Sequence, residues 1–356
     1  MEPTNVFANT APINEVNNVS EKCVSTSIDR FNSSAPSNSS HKHQQLSFSR
    51  KRLDLQWNEL SDMKYLTHGG SSWVYSAVYN GKPVVVKTLN PKCREDPHAV
   101  IDIEAEVAIH SILNHNNIVK FVGSGRTCQE NRFLVLERLT GGTLSDMLRL
   151  RNRRVGQFWK KNKHMPPFDT LKCARSLAVA LQYMHEKAMP NCVLLHRDLK
   201  PENICFALDG TVKLLDFGLV RIVQNANSKS DEAYELSGET GSLRYMAPEV
   251  AEGHPYNHKV DVYSFGIILW EMNAGKRPFG GLRTREDFFK FVVQRGDRPP
   301  LDKRRPEELR LLISDCWNRY MDKRPDIQQV IKRLDALLAY AQEEKKSIDE
   351  KSGESL

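Results

Sequence analysis

Paired cysteines are missing from this sequence. Its seven cysteines, Cys23, Cys93, Cys128, Cys173, Cys192, Cys205 and Cys316, stand singly, form no C-x-x-C pair and make an odd total. That spacing argues against a zinc clip and against a disulfide framework, and points to a reducing compartment. Also missing is any apolar run of the roughly 20 residues needed to cross a bilayer. The start, MEPTNVFANTAPINEV, has no basic stretch leading into an apolar core. The expectation is a soluble protein of the cytoplasm with no membrane span, nuclear entry being left open. There is no acidic excess either: the formal net charge is +7. Much of it comes from residues 149–164, RLRNRRVGQFWKKNKH, where Phe158 and Trp159 lie among the cations. A basic stretch with aromatics raises nucleic acid as a partner. No nucleic-acid motif accompanies it, so the segment reads instead as a solvated basic insertion, and nucleic acid is disfavoured.

What is present divides the chain in four. Residues 1–52 are rich in Asn and Ser with few large apolar groups. Such a segment buries too little apolar area to offset its ordering entropy and is expected to be a disordered arm. From 53 to 139 strand signals dominate: VYSAVY and PVVVKTL flank Asn80-Gly81, a tight hairpin signal, and one helix-like segment, AVIDIEAEVAIHSIL, precedes strands at NIVKFVG and RFLVLERL. From 140 to 340 the pattern turns helical. DTLKCARSLAVALQYMH carries Leu171, Ala174, Leu177, Leu181 and Met184 on one face, with Asp169 placed to cap it. VDVYSFGIILW is apolar nearly all round, as a fully buried helix would be. Pro325 is expected to open a last helix, and residues 341–356 form a polar tail expected to fray. The class is α+β, a small sheet with one main helix followed by a larger helical part.

Four strings carry chemistry, in this order: VVVK at 84–87, HRDLKPEN at 196–203, DFG at 216–218 and APE at 247–249. Together they match the signature set of protein kinases, and the resemblance covers about residues 60–338. WNEL, TGSLRYMAPEV and KVDVYSFGIILWE resemble the tyrosine kinase-like branch, near its Raf-like and plant-type serine/threonine members. The resemblance implies a two-lobed kinase fold that uses ATP and Mg²⁺ on protein substrates. Phosphoryl transfer spreads negative charge, so such a site mainly positions groups and supplies cations. By resemblance, Lys87 reaches the α- and β-phosphates, steadied by Glu106 rather than Glu104. Asp198 orients or accepts the substrate hydroxyl, Lys200 faces the transferring phosphate, and Asn203 and Asp216 are the metal ligands. Asp261 braces the catalytic loop and Arg324 pairs with Glu249. Leu136 limits access behind the adenine, while Glu137 and Leu139 offer backbone groups to it. HRDLKPEN resembles the serine/threonine form. A nucleotide-binding scaffold without catalysis, and tyrosine or dual specificity, are the competing readings.

The phosphate-covering loop departs from the family pattern. Over Leu66, Thr67, His68, Gly69, Gly70, Ser71, Ser72, Trp73 and Val74, glycine is replaced at Thr67 and Ser72. Non-glycine residues restrict positive φ there, so weakened rather than abolished nucleotide binding is expected. Val85 adds bulk above the adenine and Cys205 removes bulk below it, changes expected to offset each other. His110, one turn after Glu106, stands where the family is usually aliphatic. A packed neutral imidazole with one hydrogen bond is the expectation, and a pH-sensitive element the competing one. Arg197 implies control by an anionic partner, a phosphate on the segment between DFG and APE. Ser228, Ser230, Tyr234, Ser237 and Thr240 are candidates, Ser237 and Thr240 foremost, with an upstream kinase or the chain itself in trans as the phosphorylating partner. Ser242 aligns with a substrate-platform hydroxyl expected to bond near Asp198 and Lys200.

Overall fold

Alternation in VVVK sets the architecture of the first lobe. In a strand, successive side chains face opposite sides, and here both sides are covered. The computed structural model describes residues 54–149, 165–224, 233–234, 236–238 and 241–353. The Asn/Ser-rich arm, residues 150–164 of the basic insertion, Ser228, Ser230 and Thr240 lie outside them. Strands β1 (Ser61–His68), β2 (Ser72–Tyr79), β3 (Lys82–Leu89), β4 (Phe121–Arg126) and β5 (Arg132–Glu137) form an antiparallel sheet in the order β1-β2-β3-β5-β4. Val84 and Val86 of β3 pack outward with Phe133 and Val135 of β5 under Leu55, Trp57 and Leu60. Leu89 and Leu134 pack on the other side against Ala99, Ile103 and Val107 of helix α1 (Pro97–Ile112). Lys87, two residues before Leu89, therefore faces α1. Asp96 caps that helix by accepting from His98 N–H at 3.0 Å, and Pro97 occupies its first turn. The predicted hairpin is present: Asn80 at φ 48° and Gly81 at φ 70° join β2 to β3, the paired left-handed geometry of a two-residue turn.

The second lobe is mostly helical. Its helices are α2 (Leu144–Arg149), α3 (Pro167–Gln182), α4 (Pro248–Ala251), α5 (Lys259–Ala274), α6 (Arg285–Phe288), α7 (Glu307–Cys316) and α8 (Ile327–Gly353). Helix α3 runs on through a wider turn at Tyr183–Lys187. Its start differs from expectation: the cap is Pro166, and Asp169 sits in the first turn, where a carboxylate still favours the helix dipole. Helix α5 is buried from Lys259 to Met272 and forms the axis of this lobe. The last helix starts at Ile327, two residues after Pro325, and continues through EEKKSIDEKSG to Gly353. Glu and Lys are strong helix formers, which accounts for a helix where polarity alone pointed to fraying. Two small two-stranded antiparallel sheets, β6 (Cys192–Leu195) with β9 (Arg221–Gln224) and β7 (Ile204–Phe206) with β8 (Val212–Leu214), carry the loops that meet the first lobe. The α+β, two-lobed expectation is met. No described helix is long and apolar enough to cross a membrane.

Candidate active site

Asp261, near the start of α5, builds the site from below. Fully buried, it accepts Nε2–H of His185 at 2.9 Å and the backbone N–H groups of His196 and Arg197, each at 2.9 Å. Burial alone would raise its carboxyl, but the hydrogen bond from His185 and the nearby imidazoles hold it below the ordinary range. Those bonds fix Arg197 at φ 68°, a left-handed conformation unfavourable for an arginine. The strain is local and turns Asp198 toward the cleft. Asp198 Oδ1 accepts Ser242 N–H at 2.9 Å, and Oδ2 accepts Lys200 Nζ at 2.5 Å and Asn203 Nδ2 at 3.1 Å. Asn203 Nδ2 also donates to Asp198 O at 2.9 Å. Gly241, at φ 95°, permits this approach, since a Cβ there would lie 2.4 Å from Arg197 O.

Lys87 meets the site from the sheet. Its Nζ donates to Glu106 Oε1 at 2.7 Å and to Asp216 Oδ1 at 3.2 Å. Burial opposes its charge, yet the two carboxylates outweigh burial and raise its pKa above the ordinary lysine value. For Asp216, burial would raise the carboxyl, and Lys87, with His196 and Lys200 beyond it, more than reverses that. Asp216 sits at φ 59° with its side chain 45% exposed, so it keeps acceptor capacity toward the cleft. Glu104 points elsewhere, to Arg126 at 2.8 Å and Arg132 at 3.2 Å. Of the two glutamates it is Glu106 that reaches Lys87.

Around this centre lie the residues that the resemblance assigns to the nucleotide. Val85 lies two residues before Lys87 on the same face of β3, opposite Leu136 in register, and Val74 is opposite Lys87. Cys205 is buried and its thiol donates to Gly142 O at 3.0 Å; burial pushes the thiol up to about 11, so it remains neutral. Glu137 N–H is already donated to Lys120 O at 3.0 Å, which leaves only its carbonyl to face a base. Over residues 66–74 no residue has positive φ. Thr67 and Ser72 therefore carry no backbone strain, and the loop is pinned by Gly69 N–H to Ser72 O and Asn90 N–H to Ser71 O, both 2.8 Å.

Behind Lys87 runs a column of rings: His196 to Phe217 at 5.3 Å, Phe217 to His110 at 4.9 Å, and His110 to Phe121 at 6.1 Å. His110 is packed and neutral as expected, but the expected hydrogen bond is missing, and both ring nitrogens are buried without a partner. Burial, reinforced by Lys87, pushes its pKa down to about 3. An unsatisfied buried polar group costs about 1–3 kcal/mol, so His110→Leu is expected to stabilise the protein at pH 7.5. The sign with pH follows. The unfolded imidazole protonates near 6.5 and the folded one does not, so its contribution to stability falls as pH drops below 6.5. Between pH 7.5 and 5.5 wild type should lose about 1.4 kcal/mol more than His110→Leu, one pH unit of linkage. Urea unfolding at both pH values measures this, and parallel losses in the two proteins would refute it.

Arg197 donates to Ser237 O at 3.1 Å and Ser237 Oγ at 2.7 Å, so among the described residues it touches the candidate Ser237. Ser242 reaches Asp198 through its backbone rather than its hydroxyl. His185 and Arg244 were not singled out from sequence. Arg244 donates to the carbonyls of Pro278, Phe279 and Leu282 at 3.0, 2.6 and 2.9 Å and ties the segment after Ser242 to the loop following α5.

A lysine fixed by a helix glutamate, an aspartate held by an asparagine and a lysine, and a second aspartate opposite them make up the arrangement for which phosphoryl transfer calls. A family model described as protein kinase domain matches residues 60–334. This chain belongs to the protein kinase family. It is 34% identical over 282 residues to the Arabidopsis thaliana serine/threonine-protein kinase VIK, covering 78% of this chain and 60% of that one. It is 29% identical to serine/threonine-protein kinase STY17 of the same plant, over 84% of this chain and 48% of that one. To the Arabidopsis serine/threonine/tyrosine-protein kinase HT1 it is 31% identical, over 75% and 63% respectively. This chain thus spans about half to three-fifths of the length of those relatives. The plant kinases fit the branch that its motifs resemble.

Proposed function

We propose that the chain transfers the γ-phosphate of ATP, with Mg²⁺, to Ser and Thr hydroxyls of proteins. The observation that carries this reading is the Lys87–Glu106 ion pair at 2.7 Å, closed onto Asp216 in the same cleft as Asp198. Lys87 would hold the α- and β-phosphates. The residues fit a divalent ion: Asn203 spends its amide hydrogens on Asp198 and so turns its oxygen away, and Asp216 is half-exposed beside it. One carboxylate and one amide oxygen suit Mg²⁺, which keeps several waters and phosphate oxygens as ligands. When bound, the ion neutralises phosphate charge. Asp198 Oδ1, with one hydrogen bond made, has a lone pair left for the hydroxyl proton as that oxygen bonds to phosphorus and ADP departs. Lys200, held on Oδ2, offsets charge on the moving phosphoryl group. An intact set of these groups supports catalysis over a scaffold role.

Control through the segment before APE is part of the proposal. Arg197 now holds Ser237 Oγ, and a phosphate on Ser237 or Thr240 would replace a neutral contact with charge-assisted bonds. Labelled ATP and MgCl₂ incubated with the purified chain and a mixed protein substrate give the test. Phosphoserine and phosphothreonine on the substrate, and label at Ser237 or Thr240 by peptide mapping, are the expected result. Phosphotyrosine alone would overturn the specificity. No transfer under any divalent metal would overturn the activity.

A further inference from the structure

The surface on which a substrate chain must lie carries positive charge, and its acidic groups are already used. Because Ser242 N–H bonds Asp198 Oδ1, a hydroxyl presented to Asp198 brings its neighbouring residues across the segment from Ser242 to Tyr245. Two carboxylates flank that segment. Glu202 is partly exposed but accepts Arg149 at 2.6 Å and Ser145 Oγ at 3.1 Å. Glu271 is 2% exposed and accepts Tyr245 OH at 2.6 Å. Burial pushes its carboxyl up to about 7, so near neutral pH it presents only part of a charge. Against them stand Arg244 and Arg277, Arg149 being spent on Glu202. Burial first, then Arg277 and, more weakly, Arg149, lower the pKa of the Arg244 guanidinium, so Arg277 lies within reach of its field. Arg277 is exposed and sits next to Pro278, whose carbonyl Arg244 holds. A basic substrate side chain would find Glu202 paired and Glu271 buried, with Arg244 and Arg277 as like charges beside it; an anionic one would find their net positive potential.

We propose that this kinase selects protein segments in which anionic side chains, carboxylate or phosphorylated, flank the acceptor hydroxyl. The proposal rests on the phosphotransfer reading above and names its substrate class. Arg277 is the exposed attractor, and Arg149 acts by masking Glu202. Positive potential along a cleft raises capture of oppositely charged ligands and rejects like charge, in a salt-dependent way.

Peptides with one acceptor and flanks of Asp, phosphoserine, Ala or Lys, assayed with the intact chain and Mg-ATP at low and high salt, test it. The expected kcat/KM for Asp or phosphoserine flanks exceeds that for Lys flanks by about 30-fold, the product of two to three exposed charge contacts, and the ratio shrinks at high salt. Arg277→Glu should cut this ratio at least about fivefold. Arg149→Ala should also cut it by uncovering Glu202, and adding Glu202→Gln should restore it, a rescue that general loss of structure would not give. Equal or better use of Lys flanks, or a ratio that neither variant moves, would overturn the substrate class while leaving phosphotransfer intact. Absence of transfer to every peptide and protein would instead sink the underlying activity, and this inference with it.

Discussion

Asp198→Asn is expected to lower kcat by about 10²- to 10⁴-fold, the usual worth of a positioned proton acceptor, while ATP still protects the protein against heating. The loss has a second physical source besides basicity. Each neighbour of the Asp198 carboxylate is a donor: Ser242 N–H on one oxygen, Lys200 Nζ and Asn203 Nδ2 on the other. An amide at this position must set its own NH₂ against one of those donors. The side chain therefore turns or the loop gives way, and the hydroxyl loses its guide as well as its base. Lys87, Glu106 and Asp216 touch none of these atoms, so nucleotide affinity should stay within about threefold, a change under 1 kcal/mol. Steady-state kinetics with a peptide acceptor and ATP-dependent melting separate the two effects. Residual kcat within threefold of wild type would remove Asp198 from its role, and loss of ATP protection would show that the cleft itself had failed.

Reading the sequence worked where chemistry demands particular residue types close together. HRDLKPEN puts Asp198, Lys200 and Asn203 within eight residues, and the structure brings the lysine and the amide onto the Asp198 carboxylate. Alternation in VVVK marks which side of β3 carries Lys87, because strand side chains cannot share faces out of period. Contacts between distant segments were not legible. His185, 76 residues before Asp261, lies on a helix whose pattern marks only an apolar face, and nothing local says that its ring meets a carboxylate. The pairing of Arg149 with Glu202 spans 53 residues in the same way. Residues 66–74 show a different limit. Glycine at positions 67 and 72 of the family pattern suggests conformations with positive φ, and here φ stays negative throughout. Residue type reveals what a position tolerates; only the fold reveals what it is asked to adopt. His110 joins both limits, since polarity predicted a hydrogen bond that a column of aromatic rings does not provide.

Removal of the Glu249 carboxylate should be the most destabilising single change outside the apolar core. Arg324 is 2% exposed, and its guanidinium takes both Glu249 oxygens at 2.5 and 2.8 Å. The remaining acceptors are backbone carbonyls, Asn318 O at 2.9 Å, Lys259 O at 3.2 Å and Arg319 O at 3.4 Å, with the Tyr263 ring 5.0 Å away. Carbonyl dipoles solvate a cation but do not neutralise it, so Glu249→Ala leaves a full charge in a medium that cannot screen it. Breaking such a pair costs about 3–5 kcal/mol, on the order of 10 °C in melting temperature for a domain of this size. The exposed Arg304–Asp302 pair makes the contrast: with water on every side of it, Arg304→Ala should not move the melting point measurably. Position adds a functional consequence. Glu249 sits in α4, directly after the segment that carries Ser242 and Tyr245, so a loosened Arg324 frees the segment proposed above to carry substrate. Activity toward peptides should therefore fall at temperatures where the rest of the fold persists. The decisive comparison is Glu249→Ala against the double variant Glu249→Leu with Arg324→Met. Removing both charges should recover more than half of the lost stability, because the cost lies in the stranded cation and not in the missing contact. Equal melting points for the two would mean that the pair is held for its shape and that its charge contributes little.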